Sequence, residues 1–123
     1  MADDEQNKDI LPQEADFLLY TTPEGKIRVD VLFQDETVWL TQKRMAELFD
    51  IDVRTVSEHI QNILKSEELR AISTIRNFRI VQKEGERHVE RNIEFYNLDM
   101  IISVGYRVNS EKATKFRVWA TQT

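Results

Sequence analysis

The sequence predicts a domain of the α+β class, and three patterns support this. Apolar and polar residues alternate over residues 27–33, which is the period of a half-buried strand. Two stretches with helical periodicity follow within residues 42–64. Two further strand-like runs flank Glu84-Gly85-Glu86, where glycine can take the positive φ of a hairpin turn. A chain of 123 residues can bury one hydrophobic core, so we expect a single folded domain.

That domain is expected to span residues 17–123, after a flexible acidic tail at residues 1–16. The tail holds six acidic residues and one basic residue, which accounts for the whole formal net charge of -5. It lacks the apolar residues needed to fold. The remainder is neutral, with an acidic part at residues 17–69 and a basic part at residues 70–123. The acidic composition therefore does not exclude a basic face on the domain.

The domain begins with a predicted three-stranded antiparallel meander. Its strands are residues 17–20, which are apolar and aromatic, residues 27–33 and residues 37–40. Turns are expected at Pro23-Glu24-Gly25 and at Gln34-Asp35-Glu36, because these residue types favour turn conformations. The third strand leads directly into the helical region.

Residues 41–64 have the pattern of a helix-turn-helix. Thr41 is expected to cap a helix over residues 42–49, and Asp52 is expected to cap a second helix over residues 53–64. The second helix has one apolar face, formed by Val53, Val56, Ile60 and Ile63.

Three residues between these helices suit a tight corner. Ala46 is small enough for two helices to approach closely. Asp50 tolerates the left-handed conformation that such a turn needs. Ile51 would fill the corner from inside. We expect Ala46, Ile51, Val56 and Ile60 to be buried.

The other face of the second helix is the candidate recognition surface. Four polar residues lie within about a third of its circumference: Arg54, Ser57, Glu58 and Gln61. Arginine and glutamine can bind guanine and adenine edges, glutamate can accept from cytosine, and serine can do either. At the start of the first helix, the free amides, the helix dipole and a lysine could hold a phosphate, using Thr41, Gln42 and Lys43. The alternative is an ordinary helical hairpin with a solvated polar face.

A predicted basic β-hairpin, with strands at residues 75–83 and 86–96, follows the helices. Its basic residues are Arg76, Arg79, Lys83, Arg87, His88 and Arg91. A hairpin of this kind after a helix-turn-helix is typical of a wing, in which Arg79, Lys83 and Arg87 would contact DNA. The alternative is a solvated sheet face with cross-strand ion pairs, because four glutamates are interleaved: Glu84, Glu86, Glu90 and Glu94.

Two helices are expected after the hairpin. Asn97 would cap a helix from Leu98 to about Val104, which Gly105 would end. Ser110 would cap the last helix, with Ala113, Phe116 and Ala120 on one side. The sequence stops three residues after Ala120, so we expect the chain to be the N-terminal part of a longer protein.

The sequence offers little for an enzyme. It has no cysteine, and its two histidines, His59 and His88, lack the spacing of metal ligands. With three glycines there is no glycine-rich phosphate loop. We therefore expect no catalytic residue, cofactor, metal or small-molecule substrate. No apolar run reaches the roughly 18 residues that span a bilayer, and we expect a cytoplasmic protein without a membrane partner.

Several runs resemble the RhuM family of bacterial proteins. They are residues 38–42, 93–97, 95–108 and 116–120, with Tyr-Asn-Leu-Asp and Gly-Tyr-Arg-Val as their most specific elements. The resemblance extends over about residues 17–123. It implies a virulence-related or DNA-binding protein encoded near type I restriction-modification genes, and a relation to phage antirepressor N-terminal modules. It implies no catalytic residues.

The predicted architecture is a winged helix-turn-helix-like domain with an N-terminal β-meander, a wing-like hairpin and two C-terminal helices. Its expected function is the binding of duplex DNA, as a homodimer, in regulation linked to mobile or defence loci. Two alternatives remain open. The first is a protein-interaction or oligomerisation module that uses the helices after the hairpin. The second is the accessory domain of a larger enzyme.

Overall fold

The structure is a computed structural model that describes residues 16–22, 25 and 27–122, except for the side chains of Asp16 and of residues 80–83. Apart from Asp16, the predicted tail at residues 1–16 lies outside these residues, as does most of the predicted Pro23-Glu24-Gly25 turn. The elements are β1 (Asp16–Thr21), β2 (Arg28–Gln34), β3 (Thr37–Leu40), α1 (Gln42–Phe49), α2 (Val53–Lys65), α3 (Ala71–Thr74), β4 (Ile75–Glu84), β5 (Arg87–Asn97), α4 (Leu98–Val108) and α5 (Ser110–Gln122).

The α+β class is confirmed, and the strands form one five-stranded antiparallel sheet in the order β1-β2-β3-β5-β4. The predicted meander and the predicted hairpin are both present, with ends within two residues of those expected. The sequence did not indicate that they join. Two residue pairs, Trp39 with Asn97 and Leu40 with Tyr96, connect β3 to β5 and make a single sheet of the two units.

The turn between β2 and β3 has an unusual composition for its geometry. Asp35 and Glu36 have φ angles of 57° and 64°, as in a two-residue hairpin turn that normally favours Asn-Gly. The Asp35 carboxylate accepts a hydrogen bond from Arg76 of β4. The Arg76 guanidinium also lies 5.1 Å from the ring centre of Trp39. Cation–π attraction and the ion pair therefore tie this turn to the hairpin.

The main core lies between one face of the sheet and the helices. Strand residues such as Val31 and Leu40 are fully buried there against Met45 of α1 and Met100 of α4. Tyr20 of β1 packs edge-on against Phe116 of α5, with ring centres 5.0 Å apart.

A second, smaller cluster lies on the opposite face of the sheet. It consists of Leu32, Trp39, Phe78 and Phe95. Phe78 makes edge-to-face contacts with both Trp39 and Phe95, at 5.8 and 5.2 Å between ring centres. Such aromatic pairs stabilise by about 0.5–1.5 kcal/mol beyond the area they bury. The base of the hairpin is therefore anchored on both faces of the sheet.

The predicted ends of the last two helices are wrong. Gly105 does not end α4, which continues to Val108. Asn109, and not Ser110, caps α5, because its side-chain oxygen accepts from the Lys112 amide at 3.1 Å. The Asn109 amide also bonds to the Gly105 carbonyl at 2.7 Å, so one residue closes α4 and opens α5. The predicted cap at Asn97 is confirmed by a 3.1 Å bond from the Met100 amide.

Gly105 is needed for helix packing and not for a turn. A Cβ atom at this position would lie 2.6 Å from Cζ of Phe49 and 2.7 Å from Cβ of Ala113. Both distances are shorter than van der Waals contact, so α1, α4 and α5 meet at a point where no side chain fits.

No helix within the described residues is long and apolar enough to cross a membrane.

Replacing Gly105 by alanine should therefore destabilise the domain. Overpacking a close contact of this kind costs about 1–3 kcal/mol, more than the helix propensity that alanine gains. Urea denaturation of the variant and of the natural chain measures the difference. Phe49→Leu introduced together with Gly105→Ala should recover part of the loss, since it removes the nearest ring atoms. Equal stability of Gly105→Ala and the natural chain would contradict the contact.

Candidate nucleic-acid interface

Helices α1 and α2 are joined by a tight turn of the expected kind. Asp50 has φ 58° and ψ 51°, the left-handed conformation predicted for it. The Ile51 amide bonds to the Ala46 carbonyl at 3.0 Å, which closes the turn. Ala46 is buried, whereas Ile51 is half-buried against the main core and not fully buried as predicted.

The start of α2 differs from the prediction in two respects. Asp52 occupies the cap position, but its side chain makes no capping hydrogen bond. Its backbone carbonyl instead accepts from the amides of Thr55 and Val56. Val53 was expected on the buried face, yet 41% of it is exposed, because it packs against neither of the two apolar clusters. Val56, Ile60 and Ile63 are buried as predicted.

The outward face of α2 carries the predicted polar residues. Arg54, Glu58 and Gln61 are exposed, and Ser57 is half-buried, less accessible than expected. Lys65 was missed by the sequence analysis because the helix was predicted to end at Leu64. It is exposed and extends the same stripe at helical spacing. The side chains of Arg54 and Lys65 have no hydrogen-bonding or ionic partner among the described residues.

The first turn of α1 is fixed by two side chains. Thr41 caps the helix as predicted, its hydroxyl oxygen accepting from the Arg44 amide at 3.1 Å. Gln42 is half-buried, and its Nε2 donates to the Tyr96 hydroxyl at 2.9 Å. The Gln42 side chain is therefore directed to the sheet, and only its backbone amide is left for an anion. Lys43 is exposed.

Tyr96 extends this contact to a second residue of β5. Its hydroxyl donates to the Glu94 carboxylate at 2.8 Å. Burial, together with the hydrogen bond to Glu94, raises the pKa of Tyr96 to about 12. The phenol therefore remains protonated at neutral pH and holds its donor role. The chain Gln42–Tyr96–Glu94 links the start of α1 to the base of the hairpin.

The segment after α2 is held by another polar group. Glu68 accepts from the Ser103 hydroxyl at 2.6 Å and from Arg107 at 2.6 Å. These hydrogen bonds, that from Ser103 first, lower the pKa of Glu68 below its ordinary value of 4.5. The segment after α2 is thus tied to α4.

Charge on the helical unit is balanced. Residues 41–70 contain five basic and six acidic residues. Two of these charges offset each other in the Arg44–Glu47 pair, 3.2 Å apart. The unpaired cations Lys43 and Arg54 are both exposed. The surface therefore has local cationic points and no broad basic patch.

The predicted DNA-contacting residues of the hairpin do not share one face, unlike those of α2. Arg79 and Arg87 are exposed, but the register of β4 and β5 puts them on opposite faces of the sheet. Arg79 lies 3.6 Å from Glu90, and Arg91 lies 2.6 Å from Glu84. The cross-strand ion pairs considered from the sequence are thus present at these two sites. Lys83 pairs with His88 in the ladder, and its side chain is not among those described.

The sequence could not predict the two hydrogen-bonded contacts that hold the helices, Gln42 with Tyr96 and Glu68 with Arg107. Gln42 and Tyr96 are 54 positions apart, and Glu68 and Arg107 are 39 apart. No periodicity links residues at such separations, and each residue type is common on surfaces. Within the described residues, no group of three or more His, Asp or Glu side chains could hold a metal ion.

The chain thus has an α+β domain in which two helices are joined by a tight turn with one left-handed residue, and the second helix presents an exposed polar face. Residues 73–123 match the family model of the Virulence protein RhuM family, so the resemblance to that family is confirmed over this part. The matched part includes the hairpin, α4 and α5, while the resemblance at residues 38–42 stays a prediction. Comparisons with curated proteins and with solved structures give no match.

The Glu68 network predicts a stability difference that depends on pH. Because the folded-state pKa of Glu68 is lowered, its contribution is present above the ordinary glutamate pKa and is lost as pH falls through the lowered value. Glu68→Gln should therefore be less stable than the natural chain near neutral pH, and the difference should shrink in acid. Urea denaturation at about pH 7 and about pH 3 tests this.

Glu67→Gln is the matched control, since Glu67 is exposed and makes no side-chain hydrogen bond to a described residue. It should change the free energy of unfolding little at either pH. An effect of Glu68→Gln that persists undiminished in acid would show that the carboxylate charge is not what binds Ser103 and Arg107.

Proposed function

We propose that this domain binds duplex DNA, with α2 as the recognition helix and the start of α1 against a phosphate. The observation that carries the proposal is the outward face of α2. Arg54, Glu58 and Gln61 are exposed there on a helix whose other face is buried in the core. We infer that the domain acts in the cytoplasm, in regulation linked to mobile or defence loci, as the RhuM resemblance implies.

The chemistry of the face supports base recognition. Exposed arginine and glutamine side chains without partners in the described residues are free to form paired hydrogen bonds with guanine and adenine. Arg54 lies in the first turn of α2, the part of a recognition helix that reaches base edges. An arginine already held in an ion pair would first have to give up that partner.

The phosphate contact rests on α1. The first amides of a helix are unpaired within it and carry the positive end of the dipole. Lys43 is exposed beside them, and Thr41 fixes the turn that presents them. Because the helical unit has no excess of positive charge, we expect few phosphate contacts and a shallow dependence of affinity on salt.

The hairpin would act as a wing with a smaller share of the contacts. Arg87 is exposed next to the turn and has no ion-pair partner among the described side chains. Arg79 would contribute less, since Glu90 already balances it. The winged helix-turn-helix description of the fold is part of this proposal.

One observation favours a second function, that of a protein-interaction module. A groove between the segment after α2 and helices α4 and α5 has an apolar floor that includes Leu69, Leu98 and Ile102. Tyr106, which also lines the groove, is 46% exposed. Binding of random duplex DNA that weakens with salt supports the first function, and its absence supports the second.

Two substitutions should separate specificity from general affinity. Arg54→Ala should cost about 1–3 kcal/mol on a preferred duplex, selected from random sequences, and little on random DNA. Lys43→Ala should weaken both alike and reduce the salt slope by about one phosphate contact. Fluorescence anisotropy titrations at two salt concentrations measure both effects.

Arg28→Ala is the matched control. It removes the same charge from an exposed arginine, but the strand register puts Arg28 on the sheet face opposite the helices. It should leave both affinities unchanged. If all three variants bind as the natural chain does, α2 is not the recognition helix.

A further inference from the structure

Strand β1 is an edge of the sheet and pairs, among the described residues, only with β2. As far as the described part of the chain shows, its other edge therefore presents a row of unpaired backbone N–H and C=O groups. Phe17 and Leu19 are each 48% exposed on the sheet face that the helices do not cover. Residues 17–22 contain no charged residue, proline or glycine. The usual devices that prevent edge strands from pairing are absent from this run.

The opposite edge of the sheet is different. Strand β4 presents the charged and exposed Arg76 and Arg79, and both lie in ion pairs. Charged side chains on an edge strand oppose pairing with another chain. Charge therefore guards the β4 edge, the guarded edge, whereas residues 17–22 leave the β1 edge unguarded beyond Asp16 at its start.

We propose that β1 pairs with β1 of a second copy of this chain, antiparallel and centred on Leu18. Paired residues must project to the same face, because side chains alternate along a strand. Centring on Leu18 places Phe17 opposite Leu19 of the partner copy, and Leu19 opposite its Phe17. The four half-exposed apolar side chains then form one cluster. Centring on Leu19 would instead place each Phe17 opposite Thr21, which leaves the two phenylalanines apart.

This arrangement has a definite geometry. The twofold axis runs perpendicular to the sheet, so the two sheets continue as one sheet of ten strands. Both helical layers lie on the same side of it, since the axis keeps each face with its counterpart. The inference does not depend on DNA binding and can be tested without DNA.

Sedimentation velocity of the full chain across the micromolar to millimolar range is the first test. We expect a dimer that dissociates on dilution, and Leu19→Lys should raise its Kd about tenfold or more by inserting a charge against the partner's apolar side chain. The fold should survive, because Asp30 lies opposite Leu19 on β2 and can pair with the lysine. Asn77→Lys, which adds the same charge to exposed Asn77 on the guarded edge, should leave Kd unchanged.

Cysteine cross-linking tests the register, and the natural chain has no cysteine. In the proposed register two copies of Leu18→Cys face each other with Cα atoms about 4.5–5.5 Å apart, within reach of a disulfide. Two copies of Leu19→Cys are offset by two residues, roughly 8 Å apart, beyond that reach. Oxidation should therefore join Leu18→Cys and not Leu19→Cys.

Four results would overturn the proposal. They are a monomer at every concentration, a dimer that Leu19→Lys leaves unaltered, equal weakening by Asn77→Lys, and cross-linking of Leu19→Cys in place of Leu18→Cys.

Discussion

The fold depends on the short junction between β3 and β5. Only two residue pairs join these strands, yet each pair has at least one side chain in a core. Leu40 and Tyr96 enter the main core, while Trp39 belongs to the aromatic cluster on the other face. Both strands lead directly into a helix here, since Thr41 is the N-cap of α1 and Asn97 is the N-cap of α4. The helices are thus positioned by the same few residues that unite the sheet.

The candidate interface is positioned by contacts to that junction and to α4. Gln42 reaches from the start of α1 to Tyr96, at the junction itself, and Glu68 ties the far end of the helical unit to α4. Because these contacts hold the helices, the outward side chains of α2 are not needed to stabilise the fold. A recognition helix requires side chains that are available to bind bases. A residue that stabilises the fold and also reads a base would have to compromise between both geometries.

Local patterns predicted the elements well because each depends on nearby residues. The α1–α2 turn at Asp50 follows from the left-handed preference of aspartate and the apolar spacing on either side of it. The role of Gly105 was not predictable, because glycine both ends helices and permits close packing, and sequence alone does not separate the two. The β3–β5 pairing and the Gln42–Tyr96 bond are long-range, so no window of sequence contains both partners. For the site, the polar face of α2 was predictable, whereas the residues that hold it in place were not.

The contact at Gly105 also shapes how the domain tolerates sequence drift. Phe49 and Ala113 fill the space that any side chain would need, so this position is closed to every other amino acid unless a neighbour changes as well. Tyr106, one residue further along α4, is 46% exposed and open to many replacements. A substitution at position 105 is therefore expected only together with one at Phe49 or Ala113. A substitution at position 106 is expected to occur alone.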